Sequence, residues 1–345
     1  MLTARQLLIF NNIIEIFTKD GEPISSQSIV KKGDIQASSA TIRNEMITLE
    51  KLNLIEKVHK SSGRVPTVKG YRFYVDNLMK PRKIQGAKRI EIKDLFDKQV
   101  YQMRDVFYQS AELVSQLTNY TAIVLGPQSN SSHLTAFRIL PLNNHQMMIL
   151  LQLDNQEMQS MSFRIPKGLK ASHIKQVTEF INQNLVGESL SVVYYALKNE
   201  LPQLFERYLE MNWNIPKMLE RSLQSYTDKN MFISGKSNLL DFTEDMQLAQ
   251  VKDLYRLLDN DQTLLSLLKA ENDLERNFDV QIGEEFDDQL LEAFSLITVP
   301  YQDKQFGRGL IAVLGPKNMT YDLTLGIVQV LKEELLDKLE DFYLE

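Results

Sequence analysis

The run Ser38-Ser39-Ala40-Thr41-Ile42-Arg43-Asn44-Glu45-Met46 gathers hydroxyl, guanidinium and amide groups at the start of a segment with helical apolar spacing. These are the side chains that hydrogen-bond base edges and phosphate oxygens in a major groove. Ile42, Met46, Leu49 and Leu52 form one stripe that should face a core, which turns Thr41, Arg43 and Asn44 outward. Ser38 or Ser39 is the expected N-cap. Ser38, Ser39, Thr41, Arg43 and Asn44 are therefore the candidate contacts of a recognition helix.

The elements around this run complete a module. A short helix, Ser26 to Lys32, precedes it and is reached through Gly21-Glu22-Pro23-Ile24. Two strand pieces follow, Leu54 to His59 and Arg64 to Thr67, around the tip Lys60-Ser61-Ser62-Gly63. Gly63 is expected to permit a tight reversal. Helix, turn, helix and wing in that order predict a winged helix-turn-helix that binds DNA. Lys57, His59, Lys60 and Arg64 are the candidate wing contacts, with Lys69 and Arg72 flanking them. An amphipathic first helix, Thr3 to Thr18, should pack beneath through Leu7, Leu8, Ile13, Ile14 and Phe17. Tyr71 to Met79 reads as a closing helix, broken at Lys80-Pro81, since proline disfavours helix at the residue before it. Ile84 to Ile92 reads as a polar crossing, and the head should end near residue 85.

Charge follows the same division. Residues 1 to 89 carry 16 Lys and Arg against 8 Asp and Glu, a net of +8. The remainder carries 23 against 37, a net of −14, so the overall −6 hides a basic head on an acidic body. Such asymmetry confines nucleic-acid contact to the head, because an acidic body repels phosphate.

Composition narrows the chemistry. With no Cys among 345 residues, disulfides, iron–sulfur clusters and thiol catalysis are excluded, and a reducing cytosol fits. The chain opens on an amphipathic helix without a signal-peptide pattern, and no apolar run approaches the ~20 residues of a membrane span. A cytoplasmic protein without membrane association is expected. His59, His133, His145 and His173 stand apart from one another, with no metal-ligand spacing. Ser234-Gly235-Lys236-Ser237 lacks the upstream glycine of a phosphate-binding loop, since position 230 is Asn. Gly307-Arg308-Gly309 opens a strand, and Glu284-Glu285 with Asp287-Asp288 reads as a solvated turn. No catalytic residue, metal site or cofactor is expected, and the protein should not be an enzyme.

The body alternates helices and strands. A long amphipathic helix is expected from Lys93 to Leu117. Apolar runs at Thr121–Leu125, Leu134–Leu140, Met147–Leu153 and Met158–Ile165 read as strands, with a hairpin turn at Asn143-Asn144-His145. Helical periodicity runs from Ser172 to Tyr226, interrupted at Gly187, Pro202 and Pro216. Strand-like runs return at Met231–Ile233, Phe278–Ile282, Phe294–Pro300 and Gly309–Leu314, before a terminal helix from Tyr321 to Phe342. This order suggests an α+β sheet domain with a helical insertion.

Several of these segments resemble the HrcA family of heat-inducible transcription repressors. The similar blocks are Gly21-Glu22-Pro23-Ile24, Ser38 to Met46, Leu49-Glu50, Gly63-Arg64-Val65-Pro66 and Lys69-Gly70-Tyr71-Arg72-Phe73-Tyr74-Val75-Asp76. In the C-terminal half they are Ile233 to Leu240 and Leu314 to Tyr321, so the likeness spans nearly the whole chain. The resemblance implies a multidomain α+β protein. Its parts would be a winged head (1–85), a GAF-like α/β domain in two segments (90–165 and 231–345), and an inserted, mainly helical dimerisation domain (166–230). It also implies a homodimer on an inverted-repeat operator of double-stranded DNA upstream of chaperone operons, inactivated on heat stress and supported by the GroE chaperonin. The block Ser172 to Tyr226 would supply the dimer interface, with Phe180, Ile181, Leu185, Tyr194 and Leu204 as candidates. The alternative is a winged-helix regulator whose GAF-like body senses a small-molecule ligand.

Overall fold

The computed structural model describes residues 2–33, 35–58, 63–96, 103–128, 133–143, 145–154, 158–164, 171–196, 231–243, 246–269, 277–303 and 307–344. Thr3 opens the first helix, α1 (Ala4–Asp20), through a capping box with Gln6. Ile9, Phe10, Ile13 and Ile14 on that helix are buried. Ser25 caps α2 (Ser26–Lys32) and Ser38 caps α3 (Ser39–Lys51), each accepting a backbone N–H three residues on. β1 (Ile55–Lys57) and β2 (Arg64–Pro66) pair antiparallel, and α4 (Val68–Asn77) closes the winged module.

Two side chains of the head depart from the expected apolar faces. Leu8 is 46 % exposed, and the buried stripe of α1 runs instead through Ile9, Phe10, Ile13, Ile14 and Ile16. Leu52 is 45 % exposed because α3 ends at Lys51 and Asn53 turns into the left-handed region at φ 58°. That turn delivers Leu54 to the core in its place.

The remaining elements are α5 (Ala87–Phe96), α6 (Met103–Thr118), β3 (Thr121–Gln128), β4 (Leu134–Asn143), β5 (Gln146–Leu153), β6 (Met158–Arg164), α7 (Ala171–Asn184) and α8 (Leu190–Tyr195). After them come β7 (Met231–Ser234), a 3₁₀ turn (Lys236–Phe242), α9 (Leu248–Asp259), α10 (Asp261–Lys269), β8 (Asp279–Ile282), β9 (Phe294–Asp303), β10 (Gly307–Pro316) and α11 (Tyr321–Leu344). Helix and sheet are mixed, as the sequence order suggests. Residues 87–92 are helical rather than a polar crossing, because Ile92 and Phe96 lie four apart and are both buried.

The chain divides into two compact units. The first comprises Met1–Val124, Phe232–Tyr301 and Leu310–Glu345. It holds the winged head and a sheet with strand order β7-β3-β10-β9-β8, in which β8 and β9 run antiparallel. α11 packs on both α5 and α6. Leu325, Val328, Leu331 and Leu335 of α11 share one apolar core with Ile92, Phe96 and Val106. The motif around Gly235 is structural: Asn238 donates to Ser115 Oγ (3.1 Å) and the Tyr120 carbonyl (3.3 Å), and Lys236 pairs with Asp259 (2.7 Å).

The second unit comprises Leu125–Met231 and Gln302–Gly309. Its described residues form the antiparallel sheet β4-β5-β6 with α7 and α8, so it begins well before residue 166. Asn182 joins α7 to β4, accepting from the Phe137 N–H (2.9 Å) and donating to the Phe137 carbonyl (2.7 Å). The hairpin turn lies where it was expected, with Asn143 Oδ1 accepting from the His145 N–H at 2.8 Å. His133 pairs with Asp154 through Nδ1 at 2.9 Å on the surface. Ile181 and Leu185 are buried within this unit, so they do not offer the free surface expected of them. Leu204, Pro202, Pro216 and the side chain of Tyr194 lie outside the described residues.

Candidate nucleic-acid interface

The inner face of α3 is fixed first. Ile42, Met46 and Leu49 are buried, and Glu45 accepts from Gln6 Nε2 at 3.0 Å, which ties α3 to α1. Hydroxyls then organise the N-terminal turn. Ser38 Oγ accepts from the Thr41 N–H (3.2 Å) and shares a hydrogen bond with Thr41 Oγ1 (2.9 Å). Ser39 Oγ pairs with Ser26 Oγ of α2 at 2.8 Å. These three hydroxyls set the angle and start of the helix.

Arg43 and Asn44 remain. Both are exposed, and neither side chain has a hydrogen-bond or ionic partner among the described residues. Ala40, Ile47 and Lys51 share this outer face at helical spacing and are also exposed. Steps of three and four residues from Arg43 and Asn44 reach Ala40 and Ile47, and four more from Ile47 reach Lys51, so the helical period alone marks all three in the sequence.

The wing is anchored at its base. Ile24 and Arg64 exchange two backbone hydrogen bonds of 2.8 Å, adding the segment after Pro23 to β2. Gly63 serves this close approach, since a Cβ there would fall 2.6 Å from Pro23 Cβ and 2.8 Å from its carbonyl carbon. His59 and Lys60 lie outside the described residues. Lys57 is exposed on β1, opposite Arg64 in the register.

Three further expected contacts have partners within the protein, although Lys69 itself stays exposed. Arg64 Nε donates to Glu50 Oε2 at 2.9 Å, and its side chain is only 15 % exposed. Lys69 Nζ donates to the Leu52 carbonyl at 3.1 Å, satisfying a carbonyl at the end of α3. Arg72 meets Glu285 with both Nε (2.8 Å) and Nη2, donates to the Val280 carbonyl and reaches Asp76 at 3.3 Å. Hydrogen bonding to Glu285 raises the guanidinium further above its ordinary value, despite partial burial. Glu285 is therefore no mere solvated turn: it also accepts from the Ile282 N–H at 2.8 Å. A single sequence cannot distinguish an arginine facing phosphate from one facing a carboxylate two hundred residues away.

Arg72 is one part of a seam between α4 and the body of the same unit. Tyr71 packs against Tyr321 with ring centroids 5.9 Å apart. Burial pushes both phenols up, so both stay neutral, and Tyr321 donates to the Lys317 carbonyl at 2.6 Å. Arg72→Ala is expected to lower stability by about 2 kcal/mol, because Glu285 is left partly buried without its partner. Base preference should be unchanged. Urea unfolding beside a binding assay checks both halves of that expectation.

Residues 1–78 match the family description "winged helix-turn-helix transcription repressor, HrcA DNA-binding", and residues 104–325 match "HrcA protein C terminal domain". The chain belongs to the HrcA family. It is 37 % identical to the heat-inducible transcription repressor HrcA of Pediococcus pentosaceus, over 99 % of this chain and 98 % of that one. It is 40 % identical to HrcA of Ligilactobacillus salivarius, over 99 % of each. A crystal structure of a hypothetical protein shares the fold with a TM-score of 0.62, covering 99 % of both chains at 21 % identity. An HrcA protein is a DNA-binding transcription repressor and not an enzyme. Among the described residues, no group of His, Asp and Glu could hold a metal ion and no helix is long and apolar enough to cross a membrane.

Proposed function

We propose that this HrcA protein works in the cytoplasm as a homodimer that represses chaperone operons by occupying an inverted-repeat operator. Heat stress inactivates it, and the GroE chaperonin supports its active state. Arg43 and Asn44 read bases, while Ser38, Ser39 and Thr41 set the helix in the groove and Lys57 and Lys60 meet phosphates. The observation that carries this reading is the outer face of α3, where a cation and an amide stand exposed and unpaired above a fully buried inner face. Arginine and asparagine are the side chains that bond guanine and adenine edges bidentately.

The head takes residues 1–85, and we assign the rest to a GAF-like body around the five-stranded sheet, interrupted by a dimerisation insert. The insert is drawn to include β4 to β6, since those strands belong to the same compact unit as α7. Val192 and Tyr195 on α8 are, with Val186, exposed apolar residues of the helical block. Sedimentation of the full chain is expected to give a dimer at micromolar concentration, and Val192→Glu a monomer that melts at the same temperature. A Val192→Glu dimer would move the interface elsewhere.

Phosphate contact has its own readout. Lys57→Gln should reduce the slope of log affinity against log salt by roughly one unit. Arg64→Gln should leave that slope nearly unchanged and act on stability instead, because its charge is already paired with Glu50. Equal slope changes in the two variants would place Arg64 on the DNA.

A further inference from the structure

Ile47 is 39 % exposed on α3, one turn beyond Arg43 and Asn44. A single exposed apolar side chain carries no meaning by itself. Its position supplies one. The core needs of α3 are met by Ile42, Met46 and Leu49, so Ile47 is not overflow from the interior. Ala40, Arg43, Asn44 and Ile47 instead follow one another at i, i+3, i+4 and i+7 along the solvent side. The hydroxyls at the start of the helix are paired with one another or with α2. What the stripe presents is one guanidinium, one amide and one branched alkyl group.

The floor of a major groove offers matching groups: guanine acceptors, the donor–acceptor edge of adenine, and the C5 methyl of thymine. We infer that Ile47 contacts a thymine C5 methyl in each half-site, beside the base contacts of Arg43 and Asn44. The β-branched side chain is stiff at χ1, so little freedom is lost on contact. Ala40, a turn nearer the N-terminus, keeps that end of the stripe low enough for close approach. The inference rests on the proposed entry of α3 into the groove.

The test deletes the methyl from the DNA and the alkyl group from the protein. The probe is the duplex that the full chain protects upstream of its own gene, with each thymine replaced in turn by deoxyuridine. At one thymine per half-site the unaltered chain should bind about fourfold more weakly without the methyl, the worth of burying one such group. Ile47→Ala should bind more weakly overall and be indifferent to that replacement. Ile47→Gln, which keeps the length and loses the apolar surface, repeats the test should the alanine variant melt early. Two results overturn the inference: no thymine methyl matters to either protein, or Ile47→Ala responds to each methyl as the unaltered chain does. Arg43→Ala on single-base variants of the same duplex separates the two levels of failure. If it relaxes one position while Ile47→Ala changes no methyl response, only the methyl contact is wrong. If it relaxes none, α3 is not in the groove.

Discussion

Arg43→Ala is expected to bind the operator about 5- to 150-fold more weakly than the unaltered chain, the equivalent of about 1–3 kcal/mol for one lost bidentate base contact. The loss should be concentrated at one base pair per half-site. On duplexes already mutated at that pair, variant and unaltered chain should bind alike, since the contact is absent from both complexes. Folding should be unaffected to within about 0.5 kcal/mol, because the Arg43 side chain is exposed and has no partner among the described residues. The rival arrangement is a phosphate contact. It would weaken binding to every duplex equally and reduce the salt slope by roughly one unit. Titration against a set of single-base variants at two salt concentrations separates the two, and uniform loss would reject base reading by Arg43.

Gly70→Ala should be the most damaging small substitution in the head. Gly70 lies in the first turn of α4, where its N–H bonds the Thr67 hydroxyl at 3.0 Å. A Cβ there would fall 2.0 Å from the Leu54 carbonyl oxygen and 3.0 Å from its carbon. These are backbone atoms that cannot rotate away, and the same carbonyl accepts the Thr67 N–H at 3.2 Å. Relief would require α4 to move off the end of α3, disturbing Tyr71, Arg72 and Tyr74 together. We expect a loss of about 3 kcal/mol or more, at the upper end for overpacking. The sign is diagnostic, because alanine in an open helical position would stabilise by roughly 0.5–1 kcal/mol over glycine. Chemical unfolding measures it, and a stability equal to or above that of the unaltered chain would mean that α4 does not pack on Leu54 as described.

The head was legible because its signals are local. Ser38 capping α3, the buried triplet Ile42, Met46 and Leu49, and the outward Arg43 and Asn44 all follow from helical period and capping chemistry within a dozen residues. The side-chain partners of the wing residues were not legible. Arg64 finds Glu50, Lys69 finds Leu52 and Arg72 finds Glu285, and each pairing depends on how elements stack rather than on spacing along the chain. A basic residue flanking a wing looks the same in sequence whether it faces phosphate or carboxylate. Gly63 also makes a close approach to Pro23, which only the fold brings near. In the body, strands were readable as short apolar runs bounded by turn residues. α9 and α10 carry leucines at helical spacing, but they are short and lie between strand-like runs whose signal dominates the sequence there. Leu8 and Leu52 show the limit of a period alone: each sits one step from a buried stripe, and helix phase and end decide its side.

Footprinting of the full chain on the DNA upstream of its own gene tests the repressor reading most directly. The expected result is protection of two inverted half-sites whose centres lie about 10–10.5 base pairs apart or a multiple of that, as two heads related by a two-fold axis require. Arg43→Ala should lose that protection at concentrations where the unaltered chain is saturated. Protection without two-fold symmetry, or a footprint that Arg43→Ala reproduces at the same concentration, would contradict operator recognition through α3.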